Sequence, residues 1–188
     1  MNNRDAIKYL KVIDSRFINL ETLFGKPDFL PKSNYFESLV KAIVYQQLSG
    51  KAASTIYKRF LHLFNSTYPT PEMVLKIPSE TLRSVGLSIQ KVNYIINLSQ
   101  NCMEEKLHFG NFNQMDDVEI CDELMQIKGI GQWTSDMFLM FTLNRPNVFP
   151  YKDLGIQKGF MQLFELDNLP SQQLMQKESE KWQPYRSY

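Results

Sequence analysis

A pair of glycines at the junction of two helical patterns is the clearest candidate for a binding function. Gly129 and Gly131 flank Ile130 in the string KGIGQ, directly before the helical run WTSDMFLMFTLN. Glycines on both sides of an apolar anchor allow a tight turn, and successive backbone N–H groups at the start of a helix form an anion site. The spacing therefore predicts a turn that can bind a phosphate group, although a simple helix–helix turn explains the same residues.

Asp153 is the carboxylate whose position is most informative. It follows the loop RPNVFPYK and precedes the helical run LGIQKGFMQLF. An aspartate at this place is typical of an N-cap, because its side chain accepts hydrogen bonds from the first backbone N–H groups of a helix. A helix N-terminus also stabilises negative charge, so the same position suits a catalytic carboxylate. The two roles are compatible.

Helices are predicted along the whole chain, because apolar residues recur at three- and four-residue spacing. The first spans Ile7 to Leu23 and stops before Gly25. The second begins after Asn34, the predicted N-cap, with Glu37 completing a pair like a capping box. No strand-like alternation persists, so we expect an all-α protein of roughly ten helices with short connections.

Composition restricts the classes of function. A chain of 188 residues with 43% hydrophobic residues can bury a core, as one domain or as two closely joined lobes. Its apolar runs are short, so neither a membrane span nor a signal peptide is predicted. Cys102 and Cys121 cannot form a four-cysteine metal site alone. The net charge of +1 excludes a protein that binds a polyanion by bulk charge.

Four stretches together resemble the helix–hairpin–helix DNA glycosylase superfamily, in its DNA-3-methyladenine glycosylase II branch. In chain order they are AIVYQQLSGKAASTIYKRF, VGLSIQKVNYI, LMQIKGIGQWTSDMF and FPYKDLGIQKG, and the resemblance covers about residues 35–186. It implies an all-α, compact two-lobed fold, with lobe one at about 41–144 and lobe two at about 1–40 plus 145–188. Because few residues precede the first motif, we expect no N-terminal sheet domain.

The resemblance implies an enzyme that flips a damaged nucleotide out of duplex DNA and hydrolyses its N-glycosidic bond. Asp153 would be the catalytic carboxylate, because an ionised carboxylate stabilises the oxocarbenium character of the sugar or orients the attacking water. In strand-cleaving branches, a Schiff-base lysine lies two residues after the second hairpin glycine, where this chain has Trp133. We therefore expect a monofunctional enzyme that leaves an abasic site. No cysteine follows Cys121, so we expect no iron–sulfur cluster.

Trp133 also indicates a substrate class. An N-alkylated purine such as 3-methyladenine or 7-methylguanine is positively charged, and stacking on an indole would stabilise it by about 0.5–2 kcal/mol. A core position for Trp133 is the alternative. The other side chains of the implied base pocket are Tyr185, Gln46, Met137 and Trp182. Met137 departs from relatives that carry an aromatic residue there, which indicates a softer pocket.

The resemblance also implies which residues contact DNA. They are the hairpin residues Lys128, Gly129, Ile130, Gly131 and Thr134, the turn residues Ser88, Ile89 and Lys91, and Arg186. Ile89 occupies the position from which relatives push an apolar wedge into the base stack. The structural alternative is that Ser88 caps a helix and Ile89 begins its apolar stripe.

A monovalent cation is the one bound ion that the resemblance implies. In relatives the hairpin carbonyls hold Na⁺ or K⁺ beside the phosphate, and the matching carbonyls here belong to Met125, Ile127 and Gly129. No further cofactor is expected.

Two other interpretations stay open on sequence alone. A non-catalytic helix–hairpin–helix DNA-binding module explains Gly129 and Gly131 but gives no reason for Asp153 behind a proline-containing loop. A helical interaction protein would make every motif structural. If the protein is a glycosylase, we expect it to be a monomer whose partner is double-stranded DNA with alkylated bases, and we expect it not to bind membranes. We expect it in the cytoplasm of a bacterium, or in the nucleus of a eukaryote.

Overall fold

The regular secondary structure is helical. The computed structural model describes residues 3–27 and 30–188, which form eleven α-helices and three short 3-10 helices and contain no β-strand. The α-helices are α1 (Asn3–Ile13), α2 (Leu20–Phe24), α3 (Tyr35–Tyr45), α4 (Gly50–His62), α5 (Pro71–Leu75), α6 (Ser79–Ser84), α7 (Ile89–Met103), α8 (Asp117–Met125), α9 (Gln132–Phe141), α10 (Leu154–Leu163) and α11 (Gln172–Ser179). The 3-10 helices are Ser15–Phe17, Phe109–Asn111 and Glu180–Trp182. The all-α prediction is confirmed.

The helices form two compact units. The terminal unit contains the described residues up to Pro31 together with Leu139–Tyr188, and the central unit is Lys32–Phe138. We predicted divisions near residues 41 and 144, and the first of these cuts through α3. The structure keeps α3 whole in the central unit, because this helix packs against α4 and α7.

The central unit has a core of large apolar side chains. Its fully buried members include Leu39, Ile43, Phe60, Leu82, Ile95, Leu98, Phe112, Ile120, Leu124 and Phe138. Burying each such side chain stabilises the fold by about 1.5–3 kcal/mol. The helices α5 and α6 pack on α7, which makes α7 the central element of this unit.

The start of α3 shows how local and tertiary bonds combine. Asn34 is its N-cap as predicted, accepting a hydrogen bond from the backbone N–H of Glu37 at 3.0 Å. The Glu37 side chain does not complete a capping box. It is buried and accepts a hydrogen bond from the Tyr57 hydroxyl on α4 instead. Burial and this bond together raise the pKa of Tyr57 above its ordinary range.

In the terminal unit the predicted N-terminal helix is interrupted. The chain leaves α1 at Asp14, whose carboxylate accepts the backbone N–H of Arg16 and caps a 3-10 helix. An aspartate that bonds its own neighbouring backbone offers an alternative to the helix, which the apolar periodicity could not show. The core of this unit is formed by Leu10, Phe160, Met175 and Trp182.

Among the described helices, none combines the length and the apolarity that a bilayer crossing requires.

Candidate functional site

The candidate phosphate-binding turn lies between α8 and α9 in the central unit. Two isoleucines anchor it: Ile127 is 3% exposed and Ile130 is 5% exposed. The backbone N–H of Ile130 donates to the carbonyl of Ile127 at 3.0 Å, which closes the turn. Lys128 and Gly131 are exposed on either side of Ile130. The turn therefore has a buried apolar anchor and an exposed backbone.

The physical reason for a glycine differs between positions 129 and 131. Gly129 has a φ of 101°, and a Cβ added there would lie 2.2 Å from Cγ of Tyr94 on α7, so both conformation and packing require a glycine. A Cβ added at Gly131 would meet no heavy atom within 4 Å. The chain's own packing does not require a glycine at 131. Its missing side chain instead leaves the start of α9 open to a group from outside.

The N-terminus of α9 is the positive end of a helix dipole. The helix begins at Gln132, and its first backbone N–H groups lack acceptors within the helix, as in every α-helix. The exposed Lys128 adds a formal positive charge beside them. These groups fit a phosphate as ligand.

The side chain of Gln46 lies on this hairpin. Its Nε2 donates to the carbonyl of Gly129 at 2.8 Å and to Oγ1 of Thr134 at 2.9 Å. Thr134 is only 2% exposed, so its hydroxyl meets Gln46 and not solvent. The side chain of Thr134 is therefore used inside the protein, and a DNA contact by its backbone stays a prediction. The same bonds direct the amide nitrogen of Gln46, a predicted pocket residue, at the hairpin.

Lys91 is bound to carbonyl groups at the end of α3. Its Nζ donates to the carbonyl of Val44 at 2.8 Å and to that of Gln46 at 2.7 Å. A cation is favourable at a helix C-terminus, where the last carbonyls carry partial negative charge. Burial lowers the pKa of Lys91. Two of its three donors are used inside the protein, and a phosphate contact through the third stays a prediction.

The turn before α7 exposes Ile89. Gly86 has a φ of 104°, and Ser88 caps α7 by accepting the backbone N–H of Lys91 at 3.2 Å. Ile89 is 61% exposed, whereas the buried stripe of α7 begins at Val92. The cap predicted for Ser88 is confirmed. Ile89 is therefore not part of the buried stripe of α7, and its role as a wedge stays a prediction.

Trp133 and Met137 occupy one face of α9. They are four residues apart, so their side chains are neighbours on the helix surface, and both are half-buried. Partial exposure is what a stacking platform needs, since a fully enclosed indole could not receive a base.

Asp153 is the N-cap of α10 in the terminal unit, as predicted. Its Oδ1 accepts the backbone N–H of Ile156 at 2.9 Å, and its own N–H donates to the carbonyl of Pro150 at 2.8 Å. A Cβ added at Gly155 would lie 3.0 Å from the same Oδ1, so this glycine leaves room beside the carboxylate. Asp153 is half-buried.

Trp182 belongs to the core and not to a base pocket. It is 5% exposed, and its Nε1 donates to Oδ2 of Asp14 at 3.0 Å. Its ring packs edge-on against Phe17 and Phe149, with centroid distances of 5.2 and 5.9 Å. This corrects the prediction that Trp182 contacts the base, because no face of the indole is open.

The two other predicted residues near the C-terminal end are partly exposed. Tyr185 packs edge-on against Tyr9, with ring centroids 5.2 Å apart. Arg186 donates to Oδ1 and to the carbonyl of Asn147 at 2.8 and 3.0 Å, which holds the loop that leads to Asp153. A DNA contact by Arg186 stays a prediction.

Neither thiol is poised for chemistry. Burial raises the pKa of Cys102 to about 12 and that of Cys121 to about 11, so both are protonated at neutral pH. Over the part of the chain that the structure describes, no group of three or more histidine, cysteine or acidic side chains could hold a metal ion.

Comparison with known proteins assigns the family. Residues 40–184 match the HhH-GPD superfamily base excision DNA repair protein family. The chain belongs to the HhH-GPD superfamily. The matched range includes both the hairpin of α8 and α9 and the aspartate at the start of α10.

Individual relatives in the superfamily cover most of this chain. DNA-3-methyladenine glycosylase 1 of Schizosaccharomyces pombe is 32% identical over 184 residues, which are 95% of this chain and 81% of that protein. The putative DNA-3-methyladenine glycosylase YfjP of Bacillus subtilis is 36% identical over 170 residues. That match covers 87% of this chain but 59% of the Bacillus protein, so the chain spans less than two thirds of its length.

Solved HhH-GPD structures confirm the fold. The S. pombe 3-methyladenine DNA glycosylase in complex with abasic DNA superimposes with a TM-score of 0.91 at 31% identity, covering 97% of this chain and 91% of that one. The DNA-3-methyladenine glycosidase of Bacillus halodurans gives a TM-score of 0.81 at 34% identity, covering 97% and 84%.

Proposed function

We propose that the protein is a monofunctional DNA glycosylase that excises alkylated purines, of the 3-methyladenine and 7-methylguanine type, and leaves an abasic site. The observation that carries the proposal is the similarity, over 97% of the chain, to a 3-methyladenine glycosylase bound to abasic DNA, which is the product of this reaction. The hairpin and Asp153 provide the chemistry that the proposal needs.

In the proposed reaction, the N-terminus of α9 binds a DNA phosphate while the target nucleotide is flipped out. As the base leaves, the sugar acquires oxocarbenium character, and the carboxylate of Asp153 stabilises this charge or orients the attacking water. Positive charge on the alkylated base makes it a good leaving group, so no general acid is required.

Trp133 would select the substrate. Stacking an alkylated, positively charged purine on the indole favours it over a neutral base, and Met137 one turn further along α9 would complete the platform. A tryptophan carries no amine, so this position cannot form a Schiff base with the sugar. We therefore propose that the enzyme lacks the lyase step.

Three further side chains would contact the DNA. Ile89 would fill the gap left by the flipped base, and Lys128 and Arg186 would contact phosphates. The partner is double-stranded DNA with alkylated bases. We propose that the protein acts as a monomer, in the cytoplasm of a bacterium or in the nucleus of a eukaryote.

The hairpin carbonyls are of the right type to hold Na⁺ or K⁺. The carbonyls of Ile127 and Gly129 each accept one N–H group, from Ile130 and from Gln46, and a carbonyl oxygen has a second lone pair. With the carbonyl of Met125, they would hold a cation that neutralises part of the phosphate charge. No other step of the proposal depends on this ion.

A duplex with one 7-methylguanine tests the proposal. Alkali treatment after incubation should reveal strand breaks at that base, and omitting alkali should give none if the lyase step is absent. The Asp153→Asn variant keeps a good N-cap residue but removes the charge, so its excision rate should fall about 100-fold or more while DNA binding persists. The matched control is Asp167→Asn, an exposed aspartate of the same unit.

The outcomes separate the interpretations. If Asp153→Asn excises the base as fast as the unchanged protein, Asp153 is not the catalytic residue. If the unchanged protein binds the duplex without excising the base, the non-catalytic DNA-binding module is correct.

A further inference from the structure

Gln46 connects three segments of the central unit. Its side-chain amide donates to Gly129 and Thr134 of the hairpin, at 2.8 and 2.9 Å. Its backbone carbonyl accepts Nζ of Lys91, at 2.7 Å, from the first turn of α7. The residue itself ends α3. One glutamine therefore links the end of α3, the start of α7 and the hairpin.

The local backbone holds Gln46 in this place. Its φ and ψ of −50° and 130° leave the helix, while its backbone N–H still donates to carbonyls of the last turn of α3. The next residue, Gln47, has a φ of 55°, the left-handed conformation that residues other than glycine rarely adopt. The chain thus turns sharply just after Gln46, whose side chain lies on the hairpin.

The hydrogen bonds that Gln46 makes are part-buried. Thr134 is 2% exposed, and burial lowers the pKa of Lys91. A polar group removed from water is unfavourable unless it finds a partner, so these hydrogen bonds select one arrangement of the three segments.

We propose that Gln46 is a positioning residue that holds Ile89 and the phosphate-binding hairpin in register. The inference rests on the proposed function. Ile89 lies two residues before Lys91, at the start of α7, and is 61% exposed. The hairpin fixes a phosphate while Ile89 enters the stack, so both must fit one duplex at once. A displacement of about 1 Å in such an arrangement is enough to slow a reaction by about 100-fold.

A double-mutant cycle tests this role. The variants are Gln46→Leu, which removes both side-chain hydrogen bonds at similar size, Ile89→Ala, and the two combined. Two readouts are measured on a duplex with one 7-methylguanine: the single-turnover excision rate, and the fluorescence of a 2-aminopurine placed beside the lesion, which reports flipping. The matched control is Gln100→Leu, an exposed glutamine near the other end of α7.

We expect Gln46→Leu and Ile89→Ala each to reduce the excision rate and the flipping signal about tenfold, and the double variant to be no worse than Ile89→Ala alone. A structural role without positioning would give additive losses, because it would not act through Ile89. Additive losses, or an Ile89→Ala variant that flips the base normally, would overturn the inference.

A second variant guards against misfolding. Gln46→Glu keeps the length of the side chain but replaces the amide donor with an acceptor facing the Gly129 carbonyl. It should show the same loss of flipping as Gln46→Leu, with a circular dichroism spectrum like that of the unchanged protein. If Gln46→Glu flips the base normally, the amide does not position the hairpin.

Different outcomes of these experiments would contradict the positioning role of Gln46 and the proposed function. An unchanged protein that flips the base but does not excise it contradicts the proposed function, and the flipping signal of the variants still decides the role of Gln46. An unchanged protein that excises the base, with variants that show additive losses, contradicts only the positioning role.

Discussion

Gly129 packs so closely on Tyr94 that a single added methyl group at residue 129 would lie within 2.2 Å of Cγ in the tyrosine ring. The contact joins the hairpin to the middle of α7, the helix that carries Ile89 at its start. Gly131, two residues along, has no such neighbour. In the hairpin, Gly129 is therefore required by packing, whereas Gly131 leaves space at the protein surface for a bound group.

The two glycines should respond differently to substitution by alanine. Gly129→Ala should lower the free energy of unfolding by about 2–4 kcal/mol, because overpacking and a left-handed backbone act together. Gly131→Ala should change it by less than about 0.5 kcal/mol but weaken binding to abasic duplex, since the new methyl group lies where a phosphate would approach. Urea unfolding and fluorescence anisotropy measure the two effects. Equal losses of stability in both variants would contradict the distinction.

The carboxylate of Asp14 should make stability depend on pH. The bidentate hydrogen bonds from Arg16, at 2.7 and 2.8 Å, hold the pKa of Asp14 well below its ordinary range, and the bond from Trp182 adds to this effect. In the unfolded chain the pKa of an aspartate is about 4. The lowered pKa of Asp14 in the folded protein stabilises the fold at pH values above about 4. This contribution is lost as the pH falls through the pKa of the folded protein.

Asp14→Asn should therefore cost about 2–3 kcal/mol at pH 7 and at pH 5, and less at pH 3. Urea unfolding of both proteins at the three pH values checks this, with Asp167→Asn as an exposed control. A difference that stays constant down to pH 3 would mean that the Asp14 carboxylate is not stabilised by its partners.

Lys128 should contribute to the salt dependence of DNA binding. Its side chain is exposed beside the N-terminus of α9, and one phosphate contact accounts for a slope of about 0.9 in log K against log salt. Lys128→Gln should lower the slope by about one, leaving the excision rate at saturating protein unchanged. Lys106→Gln, which removes a surface lysine paired with Glu104, is the control. An unaltered slope would remove Lys128 from the interface.

Substitution of Trp133 should change the choice of base more than the binding of DNA. Trp133→Leu keeps an apolar side chain but removes the indole, so excision of 7-methylguanine should slow by about 3- to 30-fold, which corresponds to the cation–π energy. Excision of an uncharged base such as hypoxanthine, if the enzyme accepts it, should slow less. A ratio between the two rates that Trp133→Leu leaves unchanged would argue against stacking on the indole.

Features encoded by neighbouring residues could be predicted from the sequence. The caps at Asn34, Ser88 and Asp153 depend on residues three positions away, and all three are confirmed. The tight turn at Gly129 was also visible, but its packing partner was not, because Tyr94 lies 35 positions earlier in the chain.

Features that depend on distant residues could not be predicted. Gln46 and Thr134 are 88 positions apart, and nothing in either neighbourhood marks the hydrogen bond between them. Trp182 resembled a pocket aromatic because its position near Tyr185 was suggestive, but its partner Asp14 is 168 positions away. The same aspartate interrupts the predicted N-terminal helix. The buried polar contact that corrects both predictions joins the two ends of the chain.

The hydrogen bond between Trp182 and Asp14 also sets the order in which the two units can fold during translation. Residues 32–138 can reach their native contacts while residues 139–188 are still being translated, since domains generally fold as units as they emerge. The terminal unit must wait for Trp182, whose indole fills its core and whose N–H meets Asp14. The hairpin can thus form on the ribosome before the element that carries Asp153 is stable. Under the proposed function, the binding element would be complete before the excision step is possible.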